Sequence, residues 1–319
     1  MNPKRTILQI ARLSPEAEHA LTDRYTVHLA ASEADQRAYA VLHGPSVDAI
    51  VTTAMVGARA DLIEALPNVR VIASRGVGYD TIDLACARSR GIAVSYTPDL
   101  LTDCVADLAF GALVAAARNI CAADRFVRRG DWMHGRFPMS TRVSGKRLGI
   151  LGLGAIGRAI AKRASGFDLE IRYHNRRPVA GIAYRYEPSL VELARWADFL
   201  VVSCSGGPGT RGIVSSEVIA ALGSKGYLVN VSRGSVVDEP ALVEALVGKR
   251  IAGAALDVYE REPHVPEALL PLDNVVLLPH ISSSSRETFA AMEALVLENL
   301  RSFFERGELK TPVPDAEAA

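Results

Sequence analysis

The chain has 319 residues, 49% of them hydrophobic, and its 36 Lys and Arg are balanced by 36 Asp and Glu. That length predicts two domains, with apolar material for two cores. A net charge of zero argues against nucleic acid or a polyionic surface as partner and leaves a small molecule as the expected one. No run of eighteen apolar residues occurs, and the opening Met1–Thr6 passes straight into a strand-like run, so neither a membrane span nor a secretory signal is expected. Cys86, Cys104, Cys121 and Cys204 form no CxxC pair and lie in apolar runs. They read as buried, reduced thiols of a cytoplasmic protein, and no metal site is expected.

Short apolar strands alternate with helical runs from the start. Strands are predicted at Thr6–Ile10, Ala49–Thr52, Val69–Ile72 and Ile92–Ser95, with helices near 15–24, 59–66 and 81–90. This alternation predicts a parallel sheet with helices on both faces. Pro98 marks a break, after which residues 100–118 form a long apolar helix, expected to bury itself against more than one surface as a hinge or subunit contact. An arm, 119–142, follows and carries Trp132.

A second sheet begins with the strand Arg147–Leu151, which runs directly into Gly152-Leu153-Gly154-Ala155-Ile156-Gly157 and a helix to Ala164. In a strand-to-helix context this glycine spacing is a dinucleotide fingerprint. Gly152 permits the tight turn, Gly154 lets a pyrophosphate approach the backbone, and Gly157 lets helix and strand pack closely. Free N–H groups at the helix start then face the phosphates. Further strands are predicted at Leu169–Tyr173, Phe199–Ser203, Tyr227–Val231, Ile251–Leu256 and Val275–Leu278. The closing helix Arg286–Arg306 is expected to return to the first domain, and the tail Thr311–Ala319 to be frayed.

Ligands of open α/β sheets bind beyond the carboxyl ends of the strands, so polar residues there are the first candidates for chemistry. Ser232-Arg233-Gly234 ends one strand, Asp257 the next with Glu262-Pro263 just beyond, and Pro279-His280 the last. Singly, each has a plain structural reading: a surface arginine, a turn former, a loop charge, a core histidine. Together they supply a cationic clamp for a carboxylate, a polar partner for the cofactor, a carboxylate to orient an imidazole, and the imidazole as acid and base. Hydride transfer to a 2-keto acid needs that set, the nicotinamide carrying the hydride.

These segments resemble the D-isomer-specific 2-hydroxyacid dehydrogenase family over nearly the whole chain. Ser74–Asp83 is similar to its substrate loop, Leu148–Gly157 to its nucleotide fingerprint, Asn230–Glu239 to its arginine segment, Leu256–Pro263 to its carboxylate segment and Leu278–Ile281 to its histidine segment. The resemblance implies two doubly wound α/β domains: a flavodoxin-like substrate domain, 1–99 with 287–319, around a Rossmann-type nucleotide domain, 100–286. It also implies that the N–H groups of Val77 and Gly78 hold the substrate carboxylate and that Arg233 grips the carboxylate and keto oxygen. His280 would protonate that oxygen, and Glu262 would hold the ring and favour its protonated form.

Tyr173-His174-Asn175-Arg176-Arg177 has no carboxylate where NAD-preferring members place one for the ribose hydroxyls. The family's NADPH-preferring glyoxylate and hydroxypyruvate reductases are similar here. Arg176 and Arg177 fall 24 and 25 residues after Gly152, near the ribose-reading position, and with Asn175 are expected to favour NADPH over NADH. Met55, Tyr79, Leu100 and Trp132 are the expected shapers of the substrate pocket. The alternatives are an NAD-dependent member acting on another 2-keto acid, and a nucleotide-sensing corepressor related to the family. The apolar helix 100–118 and the arm behind it predict a homodimer.

Overall fold

The computed structural model describes residues 4–314. The chain divides into two compact units, Met1–Leu101 with Ser284–Ala319, and Thr102–Ser283. The first unit runs β1 (Thr6–Gln9), α1 (Pro15–Arg24), β2 (Thr26–Leu29), α2 (Glu33–His43), β3 (Ala49–Thr53), α3 (Ala60–Glu64), β4 (Val71–Arg75), α4 (Leu84–Ser89) and β5 (Ala93–Ser95). The second holds α5 (Thr102–Ala117), α6 (Ile120–Arg128), β6 (Arg147–Leu151), α7 (Ala155–Ala164), β7 (Glu170–His174), β8 (Arg185–Tyr186), α8 (Leu190–Trp196), β9 (Phe199–Val202), α9 (Ser216–Leu222), β10 (Tyr227–Asn230), α10 (Glu239–Val247), β11 (Gly253–Leu256) and β12 (Val275–Leu277). The last helix, α11 (Arg286–Arg306), belongs to the first unit, where it packs on β4 and α1.

Both sheets are parallel throughout their paired strands. The first has the order β2-β1-β3-β4-β5, the flavodoxin-like arrangement. The second reads β8-β7-β6-β9-β10-β11-β12, which from its own first strand is 3-2-1-4-5-6 with one strand added, the dinucleotide-binding arrangement. Central strands are apolar runs because helices cover both faces: every residue of β3, β9, β10 and β11 is buried. In the first unit, Ala17 and Leu21 of α1 and Val296 and Leu300 of α11 cover one face, while Leu62 and Ile63 of α3 and Ala87 of α4 pack against the other.

Seven helices start at a Ser or Asp whose side chain accepts an N–H of the first turn: α1 at Ser14, α2 at Ser32, α4 at Asp83, α8 at Ser189, α9 at Ser215, α10 at Asp238 and α11 at Ser285. The cap of α7 is instead Gly154, with no side-chain bond and no acidic residue in the first turn.

Several sequence expectations need correction. The edge strand β2 alternates between exposed and half-buried, and α2 buries only Gln36 and Ala40 while Val41 and Leu42 stand 83% and 74% exposed, so neither carries a readable apolar pattern. Thr311–Pro314 is not frayed: Pro312 bridges Ser95, the Val313 N–H bonds to the Val94 carbonyl, and the Thr311 hydroxyl donates to the Tyr96 carbonyl. The rest of that tail lies outside the described residues. The four cysteines are half-buried rather than buried. The apolarity of α5 is used inside its own unit, where eight of its residues are buried. In this stretch the exposed apolar side chains lie after it, in the arm: Ile120, Val127, Trp132, Met133 and Met139, the last fully exposed. Among the described residues no single helix is long and apolar enough to cross a membrane.

Candidate active site

The glycine turn has the geometry of a phosphate cradle. Gly152 has φ +96°, and a Cβ there would stand 2.4 Å from the Cys204 amide nitrogen, so both the turn and the approach of β9 require glycine. At Gly157 a Cβ would meet the Gly152 carbonyl oxygen at 2.2 Å, which fixes the closeness of α7 to the turn. At Gly154 it would meet nothing within 4 Å. The backbone there borders open space, and the N–H groups of Ala155, Ile156 and Gly157 begin an uncapped helix aimed at it. These residues fit a dinucleotide pyrophosphate.

Leu153 is buried, and its N–H donates to Asn175 Oδ1 at 2.7 Å. Asn175 therefore ties the end of β7 to the fingerprint, a structural duty that its place in the sequence did not reveal. Arg176 and Arg177 follow on an exposed turn. Among the described residues neither makes an ion pair, and no carboxylate lies between Tyr173 and Val179. Cys204 sits beside the turn with its thiol pushed by burial up to about 11, an unreactive form.

Arg233, Glu262 and His280 come together at the strand ends of the second sheet. The Glu262 carboxylate is shared, Oε1 accepting the Tyr259 N–H at 3.1 Å and Oε2 bonding His280 Nδ1 at 2.7 Å. Burial alone would raise the Glu262 pKa, but the bond and charge of His280, the Tyr259 N–H and the Arg233 charge outweigh it and hold the carboxyl below its ordinary value. Glu262 is thus an anion with one oxygen committed to the imidazole, which leaves Nε2 as the ring nitrogen for a substrate. The two side chains are only 20% and 25% exposed.

Each of these residues is held by neighbours. Asn230, buried at the end of β10, donates from Nδ2 to the Arg233 carbonyl at 3.0 Å and accepts the Ser232 N–H on Oδ1 at 3.1 Å, bracing both sides of the arginine turn. At Gly234 a Cβ would lie 1.9 Å from the Tyr259 carbonyl carbon, so only glycine lets the arginine turn touch the segment leading to Glu262. Asp257, 1% exposed, accepts the N–H groups of Ile281 and Ser282 at 2.8 and 2.9 Å, and its carbonyl accepts that of His280. His280 adopts φ +55°, a left-handed turn that these three bonds stabilise. Sequence reasoning gave Asp257 to the cofactor and missed its grip on the histidine loop. Asn230 and Gly234 lay inside a recognised segment, and only a spatial neighbour reveals their duties.

In the first unit the loop after β4 starts at Gly76, with φ +127° and no room for a Cβ beside Ala54. Its N–H donates to Thr97 Oγ1 at 2.8 Å. Among the described residues the N–H groups of Val77 and Gly78 find no acceptor, leaving two adjacent donors on a partly exposed loop.

A model of the D-isomer specific 2-hydroxyacid dehydrogenase NAD-binding domain matches residues 110–282. The hydroxyphenylpyruvate reductase of Plectranthus scutellarioides is 47% identical over 96% of this chain and 98% of its own. The glyoxylate/hydroxypyruvate reductase A of Arabidopsis thaliana is 46% identical over the same shares. Among solved structures, the NADPH-dependent glyoxylate/hydroxypyruvate reductase of Sinorhizobium meliloti, with NADP and malonate bound, is 41% identical, covers 97% of both chains and gives a TM-score of 0.89. These relatives favour an enzyme over a corepressor. With a matching nucleotide domain, both sheet orders and relatives along its whole length, the chain belongs to the D-isomer-specific 2-hydroxyacid dehydrogenase family.

Proposed function

We propose that the protein reduces small 2-keto acids, glyoxylate and hydroxypyruvate first, to glycolate and D-glycerate, with NADPH as preferred cofactor. The observation that carries this reading is the His280–Glu262 bond with the Arg233 charge acting on the same carboxylate. The bound nicotinamide supplies the hydride. Glu262 fixes the His280 ring through Nδ1, so that Nε2 gives its proton to the keto oxygen as that oxygen becomes an alkoxide. Arg233 holds the keto oxygen and one carboxylate oxygen with its planar fork. The unpaired N–H groups of Val77 and Gly78 receive the rest of the carboxylate.

The pyrophosphate is assigned to the Gly152–Gly157 turn, with Gly154 leaving the space and the first amides of α7 facing it. Asp257 has lone pairs beyond the two amides it accepts and keeps its assignment as a polar partner for the cofactor. At the ribose end Asn175 keeps its NH2 donors, and Arg176 and Arg177 offer two exposed guanidinium groups to a 2'-phosphate. The four free thiols accord with a cytoplasmic setting. Exposed Trp132, Met133 and Met139 support a homodimer formed through the arm after α5. A monomer mass by light scattering at micromolar concentration would rule that dimer out.

A second reading takes a bulkier keto acid, because Met55 and Val56 on the loop after β3 stand 58% and 46% exposed, as an apolar wall would. Initial rates with NADPH and NADH against glyoxylate, hydroxypyruvate, pyruvate and hydroxyphenylpyruvate separate the readings. Highest kcat/KM for glyoxylate or hydroxypyruvate with NADPH supports the first. A large excess for hydroxyphenylpyruvate establishes the second, and no turnover of any of them removes both.

A further inference from the structure

The root of the Val77–Gly78 loop carries a buried ion pair that the reaction as described does not use. Arg75, the last residue of β4, donates from Nη1 to Glu293 Oε1 at 2.5 Å, and the two side chains are 15% and 3% exposed. Glu293, on the second turn of α11, also accepts the Ser14 N–H on Oε1 at 2.9 Å and the Ser14 hydroxyl on Oε2 at 2.5 Å. The Arg75 guanidinium lies 4.3 Å from the centre of the Phe289 ring, one turn earlier on α11. One arginine is therefore fixed by its edge and its face to a single helix, which is fixed in turn to the start of α1.

A buried pair of this kind contributes little net stability against an apolar replacement, because desolvation offsets the attraction. Directional bonds do fix position. The main chain beside Arg75 is held too: its carbonyl accepts the Ala54 N–H at 2.9 Å, the Gly76 N–H donates to the Thr97 hydroxyl, and the Gly76 carbonyl accepts the Thr97 N–H. The two unpaired amides of Val77 and Gly78 come next in the chain. We infer that Arg75 is a positioning residue for substrate, locked by Glu293 and Phe289 so that these two amides keep a fixed direction toward the keto-acid carboxylate. A loop left loose at its root would be ordered only on binding, which raises KM for the acid while leaving the hydride step and the cofactor site as they are.

The inference rests on the keto-acid reading above, and the test separates the two. Arg75→Met alone would strand a buried carboxylate, so the variant of choice is Arg75→Met/Glu293→Gln, which removes both charges. With glyoxylate or hydroxypyruvate, whichever the wild type prefers, KM should rise roughly 10-fold while kcat falls less than about 3-fold. The NADPH dissociation constant, read by fluorescence titration without turnover, should not change. Arg75→Lys, which keeps the charge, should recover most of the KM. A wild-type KM in the double variant, or equal losses of affinity for acid and NADPH, overturns the inference. If the double variant does not fold, Glu293→Gln alone decides by the same two readouts. A wild type inactive on every keto acid would instead sink the reading beneath.

Discussion

The end of the nucleotide unit proposed for catalysis and the end proposed for the ribose are built differently. His280, Glu262 and Arg233 are tied into their strand ends by Asp257, Tyr259 and Asn230, and Gly234 packs so close to the Tyr259 backbone that no Cβ fits. Arg176 and Arg177 stand on an exposed turn with no ion pair among the described residues, and the turn is tied to the fingerprint just before them, through the Asn175 side chain and the His174 carbonyl. Held groups can be aimed at a charge that develops only during reaction. Exposed arginines can follow a phosphate but gain little from each contact, about 0–1 kcal/mol. Chemistry should therefore be intolerant of substitution, and cofactor choice graded.

The largest effect is expected at His280. His280→Ala should lower kcat by at least roughly 100-fold, the range of one lost general acid, with NADPH binding by fluorescence titration unchanged. A variant with kcat near wild type would take proton transfer away from this residue.

Gly234→Ala should come next, although its side chain touches no substrate. The 1.9 Å approach to Tyr259 forces the arginine turn away from the Glu262 segment. Such misplacement should lower kcat/KM roughly 10- to 100-fold and destabilise the fold by about 1–3 kcal/mol. Full activity and an unchanged melting temperature would show that the close contact has no consequence.

Glu262 tests the electrostatics. Burial pushes its carboxyl up, yet the His280 bond and charge, the Tyr259 N–H and the Arg233 charge hold it below the ordinary 4.5. A carboxyl lowered in the folded state contributes stability that is present above its unfolded value and lost as pH falls through the folded one. The wild type should lose this contribution only below the usual carboxylate range, and Glu262→Gln should lack that pH dependence of melting. The same variant should lose about 10-fold in kcat/KM at neutral pH, since an amide cannot match the charged bond to His280. Superimposable pH profiles for rate and melting would remove Glu262 from its assigned role.

The smallest effect belongs to Arg176→Ala/Arg177→Ala. Two exposed contacts of about 0.2–1 kcal/mol each amount to about 0.4–2 kcal/mol together, so the ratio of kcat/KM for NADPH over NADH should fall by roughly 2- to 30-fold. The rate with NADH should barely change. A wild-type preference for NADH, or a ratio untouched by the double substitution, would end the proposed phosphate contact.

The contrast also explains what could be read in advance. The bounds of α11 and α1, the starts of β3, β6, β9, β10 and β12, and the fingerprint were legible because each is a local pattern of period, cap or glycine spacing. The chain could not announce β2 and α2, whose exposed faces blur the pattern, or the docking of Thr311–Pro314 on β5. The arm after α5 showed few signs of an independent core, and its helix Ile120–Arg128 buries only Ala122. The long apolar helix before it suggested a partner, but its eight buried residues are satisfied within the unit.

The sequence by itself determined the two parallel sheets, the glycine turn and the residue types needed for hydride transfer to a keto acid, since these follow from short-range order and chemical identity. Tertiary structure alone decided what holds them. Asp257 grips the histidine loop 23 residues on, Asn175 braces the fingerprint from the next strand, and Glu293 reaches Arg75 across 218 positions. Hydrogen bonds act over about 3 Å whatever the separation along the chain, so no local pattern can encode which distant residues will meet.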